Sequence, residues 1–137
     1  MDFNNIQVGN ESHFEIKITE EKVDQFATIS GDFNPIHMDA KYAMDTKFKK
    51  RICHGMLLGS FFSQLVGMNL PGKKCLYLSQ SMNFVNPCFI GDQITVKGVV
   101  IKKSDSTGIL DIKTSIFNQN ESLLVEGMAK VMFLKNH

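Results

Sequence analysis

The alternation of apolar and polar side chains divides the first third of the chain into a strand followed by helices. Apolar side chains occupy every second position over residues 13–19, which predicts a β-strand. Over residues 20–30 they recur three and four positions apart, which predicts a helix. Thr19 is a typical residue for its N-terminal cap, and Gly31 for its C-terminal end.

Two more helices and four strands are predicted from the rest of the pattern. Asp39 is placed to cap a short helix, and its expected inner contacts are Tyr42, Ala43 and Phe48. Residues 55–70 carry no charge and are apolar on most faces, which predicts an enclosed helix. Strand-like patterns separated by short turn sequences then cover residues 75–85, 94–103, 109–119 and 122–135.

This order of elements predicts an α+β fold in which a curved antiparallel sheet wraps around one apolar helix. Short connections between the last four strands favour antiparallel pairing. We expect residues 1–137 to form one domain, because the chain is short and contains no linker or internal repeat. A sheet this small leaves an open edge, which dimerisation commonly covers, so we expect a homodimer.

Composition narrows the range of possible partners and compartments. Hydrophobic residues make up 43% and charged residues 21% of the chain, and its formal charge is +1. We therefore expect neither nucleic acid nor a membrane as a partner, because no overall field would attract them. The three widely spaced cysteines indicate a reducing compartment rather than a disulfide framework, and the N-terminal residues do not resemble a signal peptide. We therefore expect the protein to be located in the cytoplasm.

The segment SGDFNPIHMD, residues 30–39, contains the strongest candidate for chemistry. Asp32 and His37 lie on either side of Pro35, which prevents a continuous helix and restricts Asn34 to extended conformations. A bend between the two titratable side chains can direct both at one water molecule, and such a pair can act as general acid and base. On spacing alone, local hydrogen bonding in a turn is the favoured explanation, because Asp and His are common in loops.

Three other features are candidates for contacts with a ligand. Gly55 lies at the start of the apolar helix, where unpaired N–H groups can stabilise an oxyanion, although a plain helix entry is the favoured interpretation of this residue taken alone. The basic run at residues 47–51 can contact phosphates, but such a run is more often simply solvated. Ser63 can face a ligand or bond back to its own helix. No cysteine and histidine spacing indicates a metal site.

Taken in order, these segments resemble the MaoC-like (R)-specific enoyl-CoA hydratases. The resemblance rests on residues 30–39, then Ala43 and Phe48, then ICHGMLLGSFFSQLVG at 52–67. A second landmark, LSQSMNFVNPCFIGDQITV at 78–96, places Gln and Phe on a strand ahead of Pro and Gly-Asp. The resemblance covers nearly the whole chain.

The resemblance implies a hot-dog fold, a dimer with its active site at or near the interface, and a carbon–oxygen lyase that hydrates trans-2-enoyl-CoA reversibly to (R)-3-hydroxyacyl-CoA. It assigns Asp32 and His37 to water activation, Asn34 to support of the site, the Gly55 amide to the thioester oxygen and Ser63 to the substrate pocket. We assign the base role to Asp32 and proton donation to His37, although sequence leaves the reverse open. The resemblance implies no metal and no cofactor other than the CoA of the substrate.

Two alternatives stay open at this stage. The first is a hot-dog thioesterase, a class that often places a carboxylate on the central helix, but residues 56–70 contain no Asp or Glu. The second is a non-catalytic subunit that binds acyl thioesters. The sequence departs from the family pattern at Arg51, Cys53 and Cys88, which leaves the acyl-chain preference open.

Overall fold

The protein folds into a six-stranded antiparallel sheet that packs against one central helix, as a computed structural model describes it over residues 2–134. The strand order is β1-β4-β5-β6-β2, and the short β3 also pairs with β6. The strands are β1 Glu11–Lys17, β2 Cys75–Gln80, β3 Asn83–Phe84, β4 Gln93–Lys103, β5 Ile109–Phe117 and β6 Leu123–Phe133. The α+β architecture predicted from the sequence is therefore the one observed.

Four helices precede most of the sheet in the described part of the chain, and the first of them begins and ends at the capping residues predicted from the sequence. The α-helices are α1 Glu20–Ser30, α2 Pro35–Met38, α3 Ala40–Met44 and α4 Gly55–Gln64, and a 3-10 turn spans Phe3–Asn5. The Thr19 hydroxyl accepts a hydrogen bond from the Lys22 N–H at the start of α1. Gly31 ends α1 in the left-handed conformation, with φ 79°. No helix in residues 2–134 is long and apolar enough to cross a membrane.

The core lies between α4 and the concave face of the sheet. Three α4 residues, Leu57, Leu58 and Phe62, are buried there against apolar side chains of β4, β5 and β6. Close contact between the layers requires a residue without a side chain at Gly98 of β4, because a Cβ atom there would lie 2.8 Å from Leu65 Cδ2. This packing holds the N-terminus of α4 in a fixed position relative to the sheet.

Two helical predictions needed correction. The segment around His37 was predicted as a loop, but Pro35–Met38 forms the helical turn α2, because Pro suits the first position of a helix and the Asn34 side chain caps it. Residues 55–70 were predicted as one continuous helix, but α4 ends at Gln64 and Leu65–Asn69 forms a wider π-helical turn. In that turn the Leu70 N–H donates to the Leu65 carbonyl oxygen at 2.8 Å.

The prediction of one continuous strand over residues 75–85 was wrong, because the segment forms two strands, β2 and β3. Ser81 interrupts it, donating its N–H to the Met128 carbonyl oxygen and accepting the Met128 N–H on its own hydroxyl. Leu76 and Leu78 lie on the exposed face of β2. The expected inner position of Tyr42 was also wrong, because its side chain is 50% exposed. The last predicted strand residue, at 135, lies outside the described residues.

Candidate active site

The loop after α1 fixes the carboxylate of Asp32 through neighbouring polar groups. The Asp32 N–H donates to the Ser30 hydroxyl at 3.2 Å, and Asp32 Oδ1 accepts the Asn34 N–H at 3.1 Å. Asn34 in turn uses its own side-chain oxygen to accept the Ile36 N–H and cap α2. Local side-chain contacts of this kind replace the helical hydrogen bonds that Pro35 interrupts.

His37 lies on α2 and faces the carboxylate of Asp32. Its Nδ1 lies 2.8 Å from the Ile52 carbonyl oxygen, which can only accept, so Nδ1 carries the proton of that hydrogen bond. The other ring nitrogen, Nε2, lies 4.0 Å from Asp32 Oδ2. A water oxygen about 2.8 Å from both atoms fits between them, because hydrogen bonds of that length span up to twice as much. The predicted pair therefore converges on one point.

A second histidine, His54, completes a cluster of three residues of the kinds that bind metals. One potential ligand atom of each of Asp32, His37 and His54 lies within 4.8 Å of the others. His54 Nε2 lies 2.9 Å from the Asp32 carbonyl oxygen, so that nitrogen is the hydrogen-bond donor. His37 Nε2 and the Asp32 carboxylate are then available to a cation, whereas the other nitrogen of His54, Nδ1, is fully buried. Two such groups are fewer than the three or four protein ligands of a zinc site.

Gly55 is the first residue of α4, and its N–H points out of the helix end. Two later N–H groups of the helix, those of Leu57 and Leu58, donate to the His54 carbonyl oxygen. The first N–H groups of a helix have no intrahelical partner and carry partial positive charge. A Cβ atom at Gly55 would lie 2.7 Å from Phe84 Cδ1, so glycine allows β3 to approach the helix start closely.

A cavity of about 500 Å³ joins these groups. Three of the five predicted site residues, Asp32, His37 and Gly55, line it. Apolar side chains make up much of the remaining wall, namely Phe48, Ile52, Met56, Leu58, Phe84, Val85, Leu124 and Val125. The mixture of an apolar wall with a few convergent polar groups is typical of small-molecule sites.

The other two predicted site residues lie outside this wall. The Asn34 side chain is exposed and caps α2, so its link to the site is the hydrogen bond from its backbone to Asp32. Ser63 is exposed on α4 and does not line the cavity of the single chain. Their assigned roles stay predictions.

The basic run contributes lysines to the neighbourhood of the cavity, but its arginine is engaged elsewhere. Lys47 lines the cavity, whereas Lys49 and Lys50 are exposed and line a separate concave region with Arg51. Arg51 instead forms ion pairs with Glu20 at 2.8 Å and Asp24 at 3.2 Å. The suggestion that all four basic residues are free for phosphate is therefore wrong for Arg51.

Two of the departures from the family pattern lie next to each other. The Cys53 N–H donates to the Cys88 carbonyl oxygen at 2.7 Å, and both side chains are buried. A hydrogen bond with the Cys53 thiol, together with burial, raises the pKa of Cys88. The Cys88 thiol is therefore a protonated packing group, and Cys53 lines the cavity beside His54.

A second concave region, of about 660 Å³, lies along the exposed face of α1. Its lining includes Glu20, Glu21 and Asp24, which would repel an anionic ligand. It contains no histidine to pair with these carboxylates. The cavity at α4 is therefore the better candidate for acid–base chemistry.

Sequence reasoning did not find His54 or Arg51 as parts of the site. Both side chains contact the segment around Asp32 and His37, which lies 14 to 22 residues earlier in the chain. The available signal was the position of His54 immediately before Gly55 and of Arg51 four residues before it. Nothing in the spacing indicated which segment they would contact.

An antiparallel sheet around a helix whose first residue faces an acid–imidazole pair defines the class of hot-dog hydratases and dehydratases. The family model described as MaoC like domain matches residues 3–119. The chain belongs to the MaoC-like dehydratase family. The resemblance stated from the sequence is thus confirmed.

Individual relatives match over nearly the full length. An (R)-specific enoyl-CoA hydratase of Aeromonas caviae is 40% identical over 131 residues, covering 96% of this chain and 98% of that protein. A protein of the same description from Rhodospirillum rubrum is 35% identical over 130 residues, covering 95% and 90%. The solved structure of an R-hydratase from Pseudomonas aeruginosa matches with a TM-score of 0.93 and 36% identity, over 96% of this chain and 84% of that one. The hot-dog fold is thereby confirmed.

Proposed function

We propose that the protein is an (R)-specific enoyl-CoA hydratase, a carbon–oxygen lyase that adds water reversibly and syn to trans-2-enoyl-CoA. The observation that carries this proposal is the 4.0 Å separation of Asp32 Oδ2 and His37 Nε2 in the wall that also contains Gly55. The relatives named (R)-specific enoyl-CoA hydratase support the same reaction.

In the hydration direction, Asp32 acts as base and His37 as acid. The carboxylate takes a proton from the water held between the pair, and the oxygen forms a bond with C3 of the enoyl thioester. The electron pair of the double bond moves toward the thioester oxygen, and protonated His37 delivers its Nε2 proton to C2. The Asp32 proton then passes to His37 through the next water, which restores the starting state. Such acid–base catalysis contributes about 10²–10⁴-fold in rate.

Negative charge that develops on the thioester oxygen is stabilised by the start of α4. The Gly55 N–H lies at the positive end of the helix, and no side chain at this residue obstructs the approach of the thioester. Loss of one such donor costs about 3 kcal/mol in comparable sites. Because these protein groups handle both the protons and the oxyanion, we propose that the reaction needs neither metal nor cofactor besides the CoA of the substrate.

We propose that the lysines of the basic run contact the phosphates of CoA. Lys47 lies in the cavity wall, and the ammonium groups of Lys47 and Lys50 rest over the rings of Phe48 and Phe89 at 5.2 and 4.7 Å. Lysine suits this contact because a mobile point charge can meet several phosphate positions. Asn34 supports the carboxylate of Asp32 through its backbone N–H. Ser63 does not line the cavity of its own chain, and we propose that it contacts a part of the substrate that lies beyond this cavity.

A homodimer is the proposed assembly. Strand β2 forms one edge of the sheet, and its residues Leu76 and Leu78 are 51% and 42% exposed. An edge that combines unpaired backbone groups with exposed apolar side chains favours pairing with a second copy. Leu76→Lys with Leu78→Lys is expected to give the monomer mass in analytical ultracentrifugation, and an unchanged dimer would place the interface elsewhere.

We place the protein in the cytoplasm, in acyl-CoA or fatty acid metabolism. Three free cysteines support a reducing compartment, where such thiols persist. The substrate class supports the metabolic role.

The proposal is tested by the loss of enoyl absorbance when purified protein is mixed with crotonyl-CoA, followed by stereochemical analysis of the product. Asp32→Asn and His37→Gln should each lower kcat by at least about 10²-fold with the fold intact. Asp39→Asn and His13→Gln are matched controls, because these residues are exposed and lie outside the cavity wall. Full activity of both dyad variants would overturn the mechanism. Release of free thiol without hydration would instead favour a thioesterase.

A further inference from the structure

One buried polar residue at the site has no task in the proposed reaction. His54 is only 2% exposed, and it lies between the segment that carries Asp32 and the helix that begins with Gly55. A buried imidazole is normally retained where its hydrogen bonds are needed. The contacts of His54 therefore indicate what it does.

His54 connects the two halves of the site through both its backbone and its side chain. Its carbonyl oxygen accepts the N–H groups of Leu57 and Leu58, which holds the backbone of His54 at the start of α4. Its Nε2–H donates to the Asp32 carbonyl oxygen at 2.9 Å. The His54 side chain is therefore one of the contacts that set the distance from the acid–base pair to the Gly55 N–H.

The ring of His54 also supports the ring of His37. The two ring centroids lie 4.0 Å apart with an angle of 30° between the planes, and Phe26 packs against His54 with a centroid distance of 5.0 Å. His37 is held at its other side by the bond from Nδ1 to the Ile52 carbonyl oxygen. Stacking and this bond together fix the direction of Nε2.

The charge state of His54 is determined by its surroundings. Burial lowers its pKa most; the carbonyl bond and the charge of Asp32 oppose this shift, whereas His37 and Arg51 add to it. Its Nδ1 is buried without a hydrogen-bond partner among the described residues, as expected of a nitrogen without a proton. His54 is thus a neutral imidazole next to one that changes charge. A neutral neighbour does not repel the protonated form of His37.

We propose that His54 is a positioning residue, a neutral imidazole whose Nε2–H fixes the Asp32 segment to the start of α4 and whose ring supports His37. The inference rests on the proposed hydratase function. It assigns no proton transfer to His54. Its effect is on the geometry of the pair relative to the oxyanion donor, where a misplacement of about 1 Å lowers the rate about 10²-fold.

Two substitutions separate the hydrogen bond from the shape of the ring. His54→Phe keeps a stacked ring and removes the donor, so kcat for crotonyl-CoA should fall about 10- to 100-fold, with KM within about twofold of the wild-type value. His54→Gln supplies a side-chain N–H near the same position and should recover most of kcat. His13→Phe is the matched control, because it makes the same change at an exposed histidine. Equal kcat in the wild type and His54→Phe, or equal losses in His54→Phe and His54→Gln, would overturn the proposal.

A second readout does not depend on turnover. Nitrogen-15 NMR of the wild type should give the shifts of a neutral Nε2–H tautomer for His54 from pH 8 down to below about 6.5, the pKa of an unperturbed histidine. A protonated His54 over that range, or an Nδ1–H tautomer, would overturn the inference even if the protein is an active hydratase. Absence of hydration in the wild type, with the expected NMR result, would remove the proposed function and leave the hydrogen bond in place.

Discussion

Arg51 is expected to stabilise the fold rather than bind substrate, and its replacement by methionine tests this directly. Its side chain is 12% exposed and makes three contacts. Nη1 pairs with Glu20, Nη2 pairs with Asp24, and Nε–H donates to the carbonyl oxygen of His37. Methionine preserves much of the aliphatic stem and removes all three polar contacts.

The expected loss follows from the exposure of each partner. The Glu20 and Asp24 side chains are 68% and 53% exposed, so each ion pair contributes about 0.2–1 kcal/mol. The bond to the His37 carbonyl lies in a part-buried position and has a charged donor, which contributes about 1.5–3 kcal/mol. Arg51→Met should therefore lower the free energy of unfolding by about 2–5 kcal/mol, with most of the loss from the carbonyl contact.

Urea denaturation at two salt concentrations separates these contributions. The double variant Glu20→Gln, Asp24→Asn should lose about 0.5–2 kcal/mol at low salt and much less at 0.5 M salt, because exposed ion pairs are screened. The larger part of the Arg51→Met loss should persist at high salt. Lys47→Met is the contrasting control, expected to raise KM for CoA esters without a change in stability. If Arg51→Met raised KM and left stability unchanged, Arg51 would be a phosphate contact and the reasoning would be wrong.

Three further outcomes are expected. Gly127→Ala should destabilise the protein by about 2 kcal/mol or more in urea denaturation, because its Cβ would overlap the backbone oxygen of Ser81. A loss below about 0.5 kcal/mol would mean that the backbone at Ser81 can move aside freely. The free energy of unfolding should fall as the pH drops from about 6.5 toward the lowered pKa of His54, because the unfolded chain then binds a proton that the folded chain does not. His54→Phe should not show this loss. Identical pH dependence of the two proteins would disprove the prediction. Overnight dialysis against EDTA should leave kcat for crotonyl-CoA unchanged, whereas loss of activity restored by a divalent cation would contradict the metal-free mechanism.

Local signals in the sequence predicted the parts of the structure that depend on neighbouring residues. The start and end of α1 follow from Thr19 and Gly31, and Asp39 caps α3 by accepting the Lys41 and Tyr42 N–H groups. The closeness of Asp32 and His37 belongs partly to this class, because five positions and one proline separate them, whereas contacts with residues 51–54 set their exact geometry. The order of strands and helices was sufficient to predict the sheet around α4.

Features that depend on distant partners could not be predicted in this way. Tyr42 is a large aromatic residue of the kind expected in a core, yet the packing of α3 leaves it half exposed. Only the tertiary arrangement determines whether such a residue is buried. The exposed apolar face of β2 carries the same alternation as a buried one, because periodicity identifies a face and not its surroundings. Arg51 likewise gives no signal for its partners on α1, which lie 27 and 31 residues earlier.

The geometry of the acid–base pair depends on two antiparallel segments joined by four hydrogen bonds. Along residues 51–54, the Arg51 side chain binds the His37 carbonyl, and the Ile52 N–H binds the Ile36 carbonyl at 3.2 Å. The Ile52 carbonyl binds His37 Nδ1, and the His54 side chain binds the Asp32 carbonyl. Half of these contacts use backbone groups of Ile52, which any residue except proline supplies, so residue identity there carries no signal. The other half use Arg51 and His54, whose side chains set the spacing between the segments, and these two positions should therefore be the sensitive ones.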